Sequence, residues 1–333
     1  PYHHGFMERG CKTGSNSYIL WPSRIGAFST VIGAHYDNID SSNFPFSYIT
    51  EHGYHQTRLI PALNLFGVGL ARDENKWIER DRRTGDKKDL IIFEVFSPYT
   101  VSKMINAERI LKDIRKNKDE NNKKGDFIVY KNMIIKGASL NKYSQRYSIA
   151  IDLYLRNKLL SYIKDCKNIN DIIESLKSEK VYSDWVDVGG LICAKERLNN
   201  IIKDIENDKI KDIENILKAF ENLYNNYYSD EKSWVIDIIK KRYSIKNFDK
   251  EIIIKILKEY ISLLKTSYDI LYRDAEKEYD ISKMVSCGID DKNFMEEDFK
   301  AIRGTVEDNA FVIQYKKDMN SKINDINKII DLL

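Results

Sequence analysis

The sequence predicts a β + α protein: the last coils of a single-stranded parallel β-helix, then a mixed connecting region, then an α-helical bundle. Three observations predict it. The first 36 residues keep a six-residue rhythm. All five prolines lie at or before Pro98 and all five histidines at or before His55. Beyond Pro98, apolar residues recur at spacings of three and four. Prolines punctuate turns and sheet edges and are excluded from helix interiors, so the point where they stop marks a passage from turn-rich β structure to helix. The corresponding boundaries are 1–36, 37–96 and 97–333.

The rhythm is plainest in TGSNSY, ILWPSR, IGAFST, VIGAHY. First positions are Thr13, Ile19, Ile25 and Val31; fifth positions are Ser17, Ser23, Ser29 and His35. A period of two is a strand and a period of 3.6 a helix. A period of six, aliphatic at one position and small at another, is the signature of a solenoid, in which each hexamer is a short strand plus a turn. Two three-hexad coils bury too little alone, and Pro1 already lies inside the rhythm. The chain therefore reads as the C-terminal piece of something longer.

In the connecting region, NFPFSYI reads as a loop feeding a short strand. ALNLFGVGLARDENKWIERDRR reads as a helix weakened by Gly67 and Gly69. Asp89–Phe96 reads as a buried strand stopped by Ser97-Pro98. Ser97 then caps a helix with proline in its first turn. Further helices are expected over 144–164, 197–225 (broken or decorated by ENDK) and 249–278, and over the last 20 residues. Their stripes, such as Ile253, Leu257, Tyr260 and Leu264, belong to a bundle core.

Bulk numbers exclude several classes. The chain has 333 residues, 54 basic and 51 acidic, with a net charge of +3 and mean hydropathy of −0.49. That near-balance gives no electrostatic footprint for nucleic acid or an anionic membrane. No apolar run approaches 18 residues, so no transmembrane helix is expected. Cys11, Cys166, Cys193 and Cys287 form no CxxC pair and no metal spacing; reduced thiols in a cytoplasmic protein are expected.

IGAFST followed by VIGAHY resembles the hexapeptide-repeat family, whose fold is a left-handed parallel β-helix. PYHHGF, SNSYILWPSRIGAFSTVIGAH, NFPFSYI, LIPALNLFGVGLARDENKWIERDRR, SPYTVSKMINAERIL and WVDVGGLICAKERLNNIIKDIENDKI, in that order, are together similar to a family of long bacterial proteins. That family is known chiefly as a domain of unknown function with a hexapeptide-repeat N-terminal portion. The resemblance implies left-handed coils and a trimer, but no established reaction. Hexapeptide-repeat transferases use a histidine as general base, taking a proton from a sugar hydroxyl or amine as it attacks an acyl thioester. By that analogy His35 is the expected base and Asp37 its orienting partner. Asp40 is an alternative partner, and a plainer role for His35 is to end the solenoid. Substrate contacts are assigned to His3, His4, Trp21, Arg24 and Asn43. The donor implied is acyl-CoA and the acceptor a sugar or sugar nucleotide.

Two other readings stand beside this one. A non-catalytic scaffold would use the helical half to bind protein partners. A zinc site on His35, His52 and His55 would leave one position open for water, although the spacing fits poorly, and no metal is assigned. Trp77 with Arg80, Arg82 and Arg83 reads either as a phosphate clamp or as an exposed charged face. Gly189-Gly190 lacks the frame of a phosphate loop and reads as a turn before a helix at Ala194.

Overall fold

The computed structural model describes residues 4–85, 89–116, 123–288 and 291–333. Strands β1 (Gly5–Met7), β2 (Lys12–Thr13), β3 (Tyr18–Ile19), β4 (Ser23–Ile25), β5 (Thr30–Ile32) and β6 (Ala34–His35) come first. Then follow β7 (Tyr48–Glu51) and β8 (Thr57–Ile60). The six-residue rhythm has a physical counterpart: Gly5 lies beside Ser23, Lys12 beside Thr30 and Thr30 beside Tyr48, each eighteen residues on and each in parallel register. Ile25 and Val31 point inward and are fully buried.

The small fifth position works through hydrogen bonds. Ser23 Oγ donates to the Leu20 carbonyl at 2.7 Å and accepts from the Ile39 amide at 3.0 Å. Ser29 Oγ accepts from the Ser47 amide at 3.2 Å, and Ser41 Oγ from the Gly26 amide at 3.0 Å. Each serine satisfies a buried backbone group in a neighbouring turn of chain, which buried polar groups require. Gly26 is needed for closeness: a Cβ there would stand 2.5 Å from the Ser41 carbonyl oxygen.

The expected left-handed β-helix is not what this chain forms. Its parallel pairings are two or three residues long and fall in small separate sheets, β1–β4 and β3–β6, beside one larger sheet. The larger sheet is mixed, in the order β2-β5-β7-β8-β11-β10-β9, where β9 is Lys123–Lys124, β10 Phe127–Tyr130 and β11 Met133–Lys136. After β7 the chain reverses through Gly53 and His55, both at positive φ, so β8 returns antiparallel with Ile49 beside Leu59. A reversal ends any solenoid, because the next strand no longer advances by one coil. The architecture is mixed α/β, and the described residues form no long parallel β-helix.

The helical half follows its apolar periodicity more closely. After α1 (Val68–Glu79) in the connecting region come α2 (Pro98–Lys116), α3 (Leu140–Ile163), α4 (Ile169–Ser175) and α5 (Lys195–Glu206). It continues with α6 (Ile213–Tyr243), α7 (Lys250–Glu276), α8 (Lys292–Arg303) and α9 (Ala310–Leu332). ENDK does interrupt: the chain turns at Asp208, at positive φ, and Asp212 caps α6 by accepting from the Asn215 amide at 2.8 Å. Asp249 caps α7 in the same way, on the Ile252 amide at 2.8 Å. Side chains of this kind satisfy amides that a helix start leaves unpaired.

Two expectations fail locally. Residues 89–96 form no strand, although Ile92 and Val95 are buried and the Ile92 amide donates to the Gly190 carbonyl at 3.0 Å. The hairpin of β12 (Trp185–Val188) and β13 (Leu191–Ala194), turned by Gly189 and Gly190 at positive φ, was not expected as strands.

One hydrophobic core runs through both halves, from Ile25 and Phe46 to Tyr147, Trp234 and Ile329. The halves are also stapled by charge. Glu8 pairs with Lys103 at 2.5 Å, and Arg9, almost enclosed, donates to the Ile92 carbonyl and lies 3.4 Å from Asp187.

Candidate functional site

The residues picked out in the sequence do not converge on a cleft. His35 is fully buried at the end of β6, its Nδ1 hydrogen-bonded with Thr57 Oγ1 at 2.9 Å. Nε2 is buried without a hydrogen-bond partner among the described residues. Burial pushes its pKa below the ordinary value, with the Ile32 carbonyl and Glu51 opposing in part. Asp37 is exposed. The ring of Trp21 covers Gly5, where a Cβ would meet it at 2.0 Å. Arg24 lies over the Phe6 ring at 5.5 Å, and His4 is exposed. Asn43 donates to Tyr130 OH at 2.9 Å. His3 lies outside the described residues, as does the Trp77 side chain. His52 packs on Phe127, His55 on Tyr36 and Tyr54. Among the described residues no group of three His, Cys, Asp or Glu side chains could hold a metal ion. Arg83 is held by Asp81 at 2.7 Å and by Asp89 at 3.3 Å.

The state of His35 has a measurable consequence. A histidine kept neutral in the fold but free to protonate when unfolded stabilises the protein above its unfolded pKa, about 6.5. That contribution is lost as pH falls from there toward the depressed folded value. Chemical denaturation of the His35→Asn protein from pH 7.5 to 5 is expected to show a shallower fall in stability than the parent. An identical pH slope in both would mean that His35 is not enclosed.

The chemistry gathers elsewhere. The segment before α2, with α1, α3, α7 and α9, borders a half-open cavity of about 480 Å³, within the range of small-molecule sites. Its walls include Phe66, Phe93, Phe96, Leu264 and Met319, and its polar lining includes Glu94, Asn157 and Lys158. A second groove, of about 580 Å³ and bordered by Lys316, Lys317 and Asn320, is open and has no buried charged group on its wall.

Behind the Glu94 wall lies a buried polar network. Successive turns of α3 place Tyr154 and Lys158 on one face, and α6 does the same with Tyr227 and Glu231; residues four apart on a helix are neighbours. Lys158 Nζ lies 2.8 Å from Glu231 and 3.5 Å from Glu94. Tyr154 donates to Glu231 at 2.8 Å and Tyr227 to Glu94 at 3.0 Å. The side chain of Glu231 is 2% exposed and that of Glu94 35%. Burial raises the Glu231 pKa above the ordinary carboxylate value, with Lys158 opposing and Glu94 adding to the rise. Loss of hydration around the enclosed carboxylate sets that direction, and the neighbouring Glu94 carboxylate adds to it.

Glu74 and Lys322 face each other at the cavity's other side. Crowding raises the Glu74 pKa and lowers that of Lys322, each partner opposing the other's shift. Glu74 keeps a water-accessible face.

Comparison with known proteins bears on this helical half. The model of a domain of unknown function, DUF6819, matches residues 166–333, just over half the chain. The chain belongs to the DUF6819 family. Residues 1–115 match a second domain of unknown function, DUF4954. An uncharacterised protein of Treponema pallidum (strain Nichols) is 22% identical over 250 residues, 67% of this chain. The chain spans about a third of that relative's length. No solved structure matches. The DUF6819 match begins at Cys166 and so contributes Tyr227, Glu231 and the α7 and α9 walls. Glu94 falls in the DUF4954 match, and Lys158 in the stretch between the two. No helix of the described residues is long and apolar enough to cross a membrane.

Proposed function

We propose that the chain binds a small organic molecule in the cavity between α1, α3, α7 and α9, with Glu94 as the carboxylate that meets it. One observation carries this reading: an open carboxylate and a shared ammonium stand together on the cavity wall, with a carboxyl of raised pKa directly behind them. Perturbed titratable groups in a cleft are where acid–base work is found. Glu94 is held by Tyr227 and Lys158 and still keeps a face toward the cavity. That face is free to accept a hydrogen bond from a bound hydroxyl or ammonium.

Leu153, half-buried in the cavity wall on α3, supplies the test. A Leu153→Trp side chain would fill the space with little effect on the helix. In native mass spectrometry against a library of neutral, cationic and anionic fragments, a set of fragments is expected to bind the parent and be lost in Leu153→Trp. If no fragment distinguishes two equally folded proteins, the cavity is not a binding site.

A second reading places group transfer to a sugar at the β half, with acyl-CoA as donor and His35 as base. The eighteen-residue return of the parallel strands supports it. The enclosure of the imidazole counts against it. His35→Gln would abolish turnover under this reading and leave cavity binding untouched under the first.

A further inference from the structure

The cavity's charge says what kind of molecule it takes. The inner wall holds two carboxylates, Glu94 and Glu231, and one ammonium, Lys158. Lys158 sits closer to Glu231, the enclosed partner, than to Glu94, the one open to the cavity. The unmatched negative charge therefore lies on the side a ligand would approach. Across the cavity, Lys322 faces Glu74 and Asp318, and Gln314 donates to Asp318 at 2.7 Å. Glu94 is the open carboxylate of the inner wall, and burial raises the pKa of both Glu231 behind it and Glu74 across the cavity. Aromatic rings, those of Phe93, Phe96, Tyr154 and Phe311 among them, line the space between. Aromatic faces attract cations, and more strongly where water is displaced.

Resting on the cavity reading, we infer that the ligand is an organic cation, a protonated amine on an apolar body, with its ammonium against Glu94 and its body between the aromatic walls. A phosphate-bearing ligand meets the opposite field. Acyl-CoA and sugar nucleotides would bring further negative charge to a wall that already has too much, and like charges in a partly dry site repel strongly.

The inner wall has one other way to balance its charge, which is a proton on Glu231. The groups facing that carboxyl are Lys158, Tyr154 and Tyr162 from α3, Tyr227 and Tyr228 from α6, and Glu94. Proton and ligand cation compete to neutralise the same charge. Amine binding should therefore tighten as pH rises from 5.5 to 7.5, over which an alkyl amine remains protonated.

The experiment is calorimetric titration of the full chain with 2-phenylethylamine, 2-phenylethanol and 3-phenylpropanoate, three probes of similar shape and different charge. The amine is expected to bind, more tightly at pH 7.5 than at 5.5, and the anion not at all. Glu94→Gln, which keeps the shape and removes the charge, should weaken the amine by about tenfold. Glu231→Gln leaves Lys158 to Glu94 alone and should weaken it too; melting curves on both variants check that they fold. The proposal is overturned if the anion binds as tightly as the amine, if both Gln variants bind the amine unchanged, or if the amine does not bind at millimolar concentration. Leu153→Trp separates the two levels of the account. Anion or neutral binding that this variant abolishes would keep the cavity and discard the cation. Binding that it leaves intact would discard both.

Discussion

Lys158→Met is expected to destabilise the protein by about 3–5 kcal/mol, the loss typical of removing one partner from a buried ion pair. The side chain of Lys158 is mostly buried and serves two carboxylates at once. Its removal leaves Glu231, enclosed between α3 and α6, with only the hydroxyls of Tyr154 and Tyr227. Part of the loss returns at low pH, because a protonated Glu231 needs no cation. The sign follows from the direction of its shift. A carboxyl whose folded pKa is raised gives its full stability below the unfolded value, about 4.3. It loses that stability as pH rises through the folded value. Denaturant titrations at pH 5 and 8 should therefore show a larger deficit for Lys158→Met at pH 8. A deficit under about 1 kcal/mol at both would place the pair at an ordinary surface site.

Phe46→Ala is expected to cost about 3–5 kcal/mol. Phe46 is the middle of three stacked rings, with Phe28 at 5.1 Å on one side and Phe96 at 5.3 Å on the other. It joins the β half to the segment that carries Glu94. Its backbone sits at φ 57, where alanine gains nothing over phenylalanine, so the whole side-chain contribution is lost. Phe46→Leu keeps most of the volume and should cost less than half as much. Equal losses in the two variants would mean that ring stacking is not what holds Phe46. Because Phe96 also lines the cavity, loss of the stack loosens one wall of the candidate site.

The sequence carries much of the helical half and little of the site. Apolar stripes place α3, α7 and α9 because amphipathic burial is a local pattern. The β half is legible only in part. The serine position continues past His35 to Ser41 and Ser47, both fully buried, so the rhythm persists further than the first 36 residues suggest. The fold class still changes, because one reversal between β7 and β8 turns a stack of parallel strands into a mixed sheet. The apolar run over residues 89–96 predicts a strand, yet among the described residues no strand pairs with it. Glu94, the polar residue in that run, is the one that matters.

The site itself is assembled from Glu94, Lys158 and Glu231, which lie about 65 to 135 residues apart, and spacing along the chain cannot reveal that convergence. What sequence did offer was the pairing of Tyr154 with Lys158 and of Tyr227 with Glu231, each four apart on a helix and each polar within an apolar stripe. A charged residue on a buried face needs a partner. Two such faces, one basic and one acidic, are a signal that they meet. His35 stands at a small-residue position of the rhythm, and its place is explained by its hydrogen bond with Thr57.

The most direct test uses the methionines. The chain has six, and Met319 is the one that lines the cavity. With methyl-labelled methionine, NMR titration of the full chain with 2-phenylethylamine should shift the Met319 signal in a saturable way. The signals of Met7, Met104, Met133, Met284 and Met295 should stay in place. Assignment comes from a Met319→Leu protein. A saturable shift at another methionine with Met319 unmoved, or no shift at any, would contradict the claim that this cavity is the binding site.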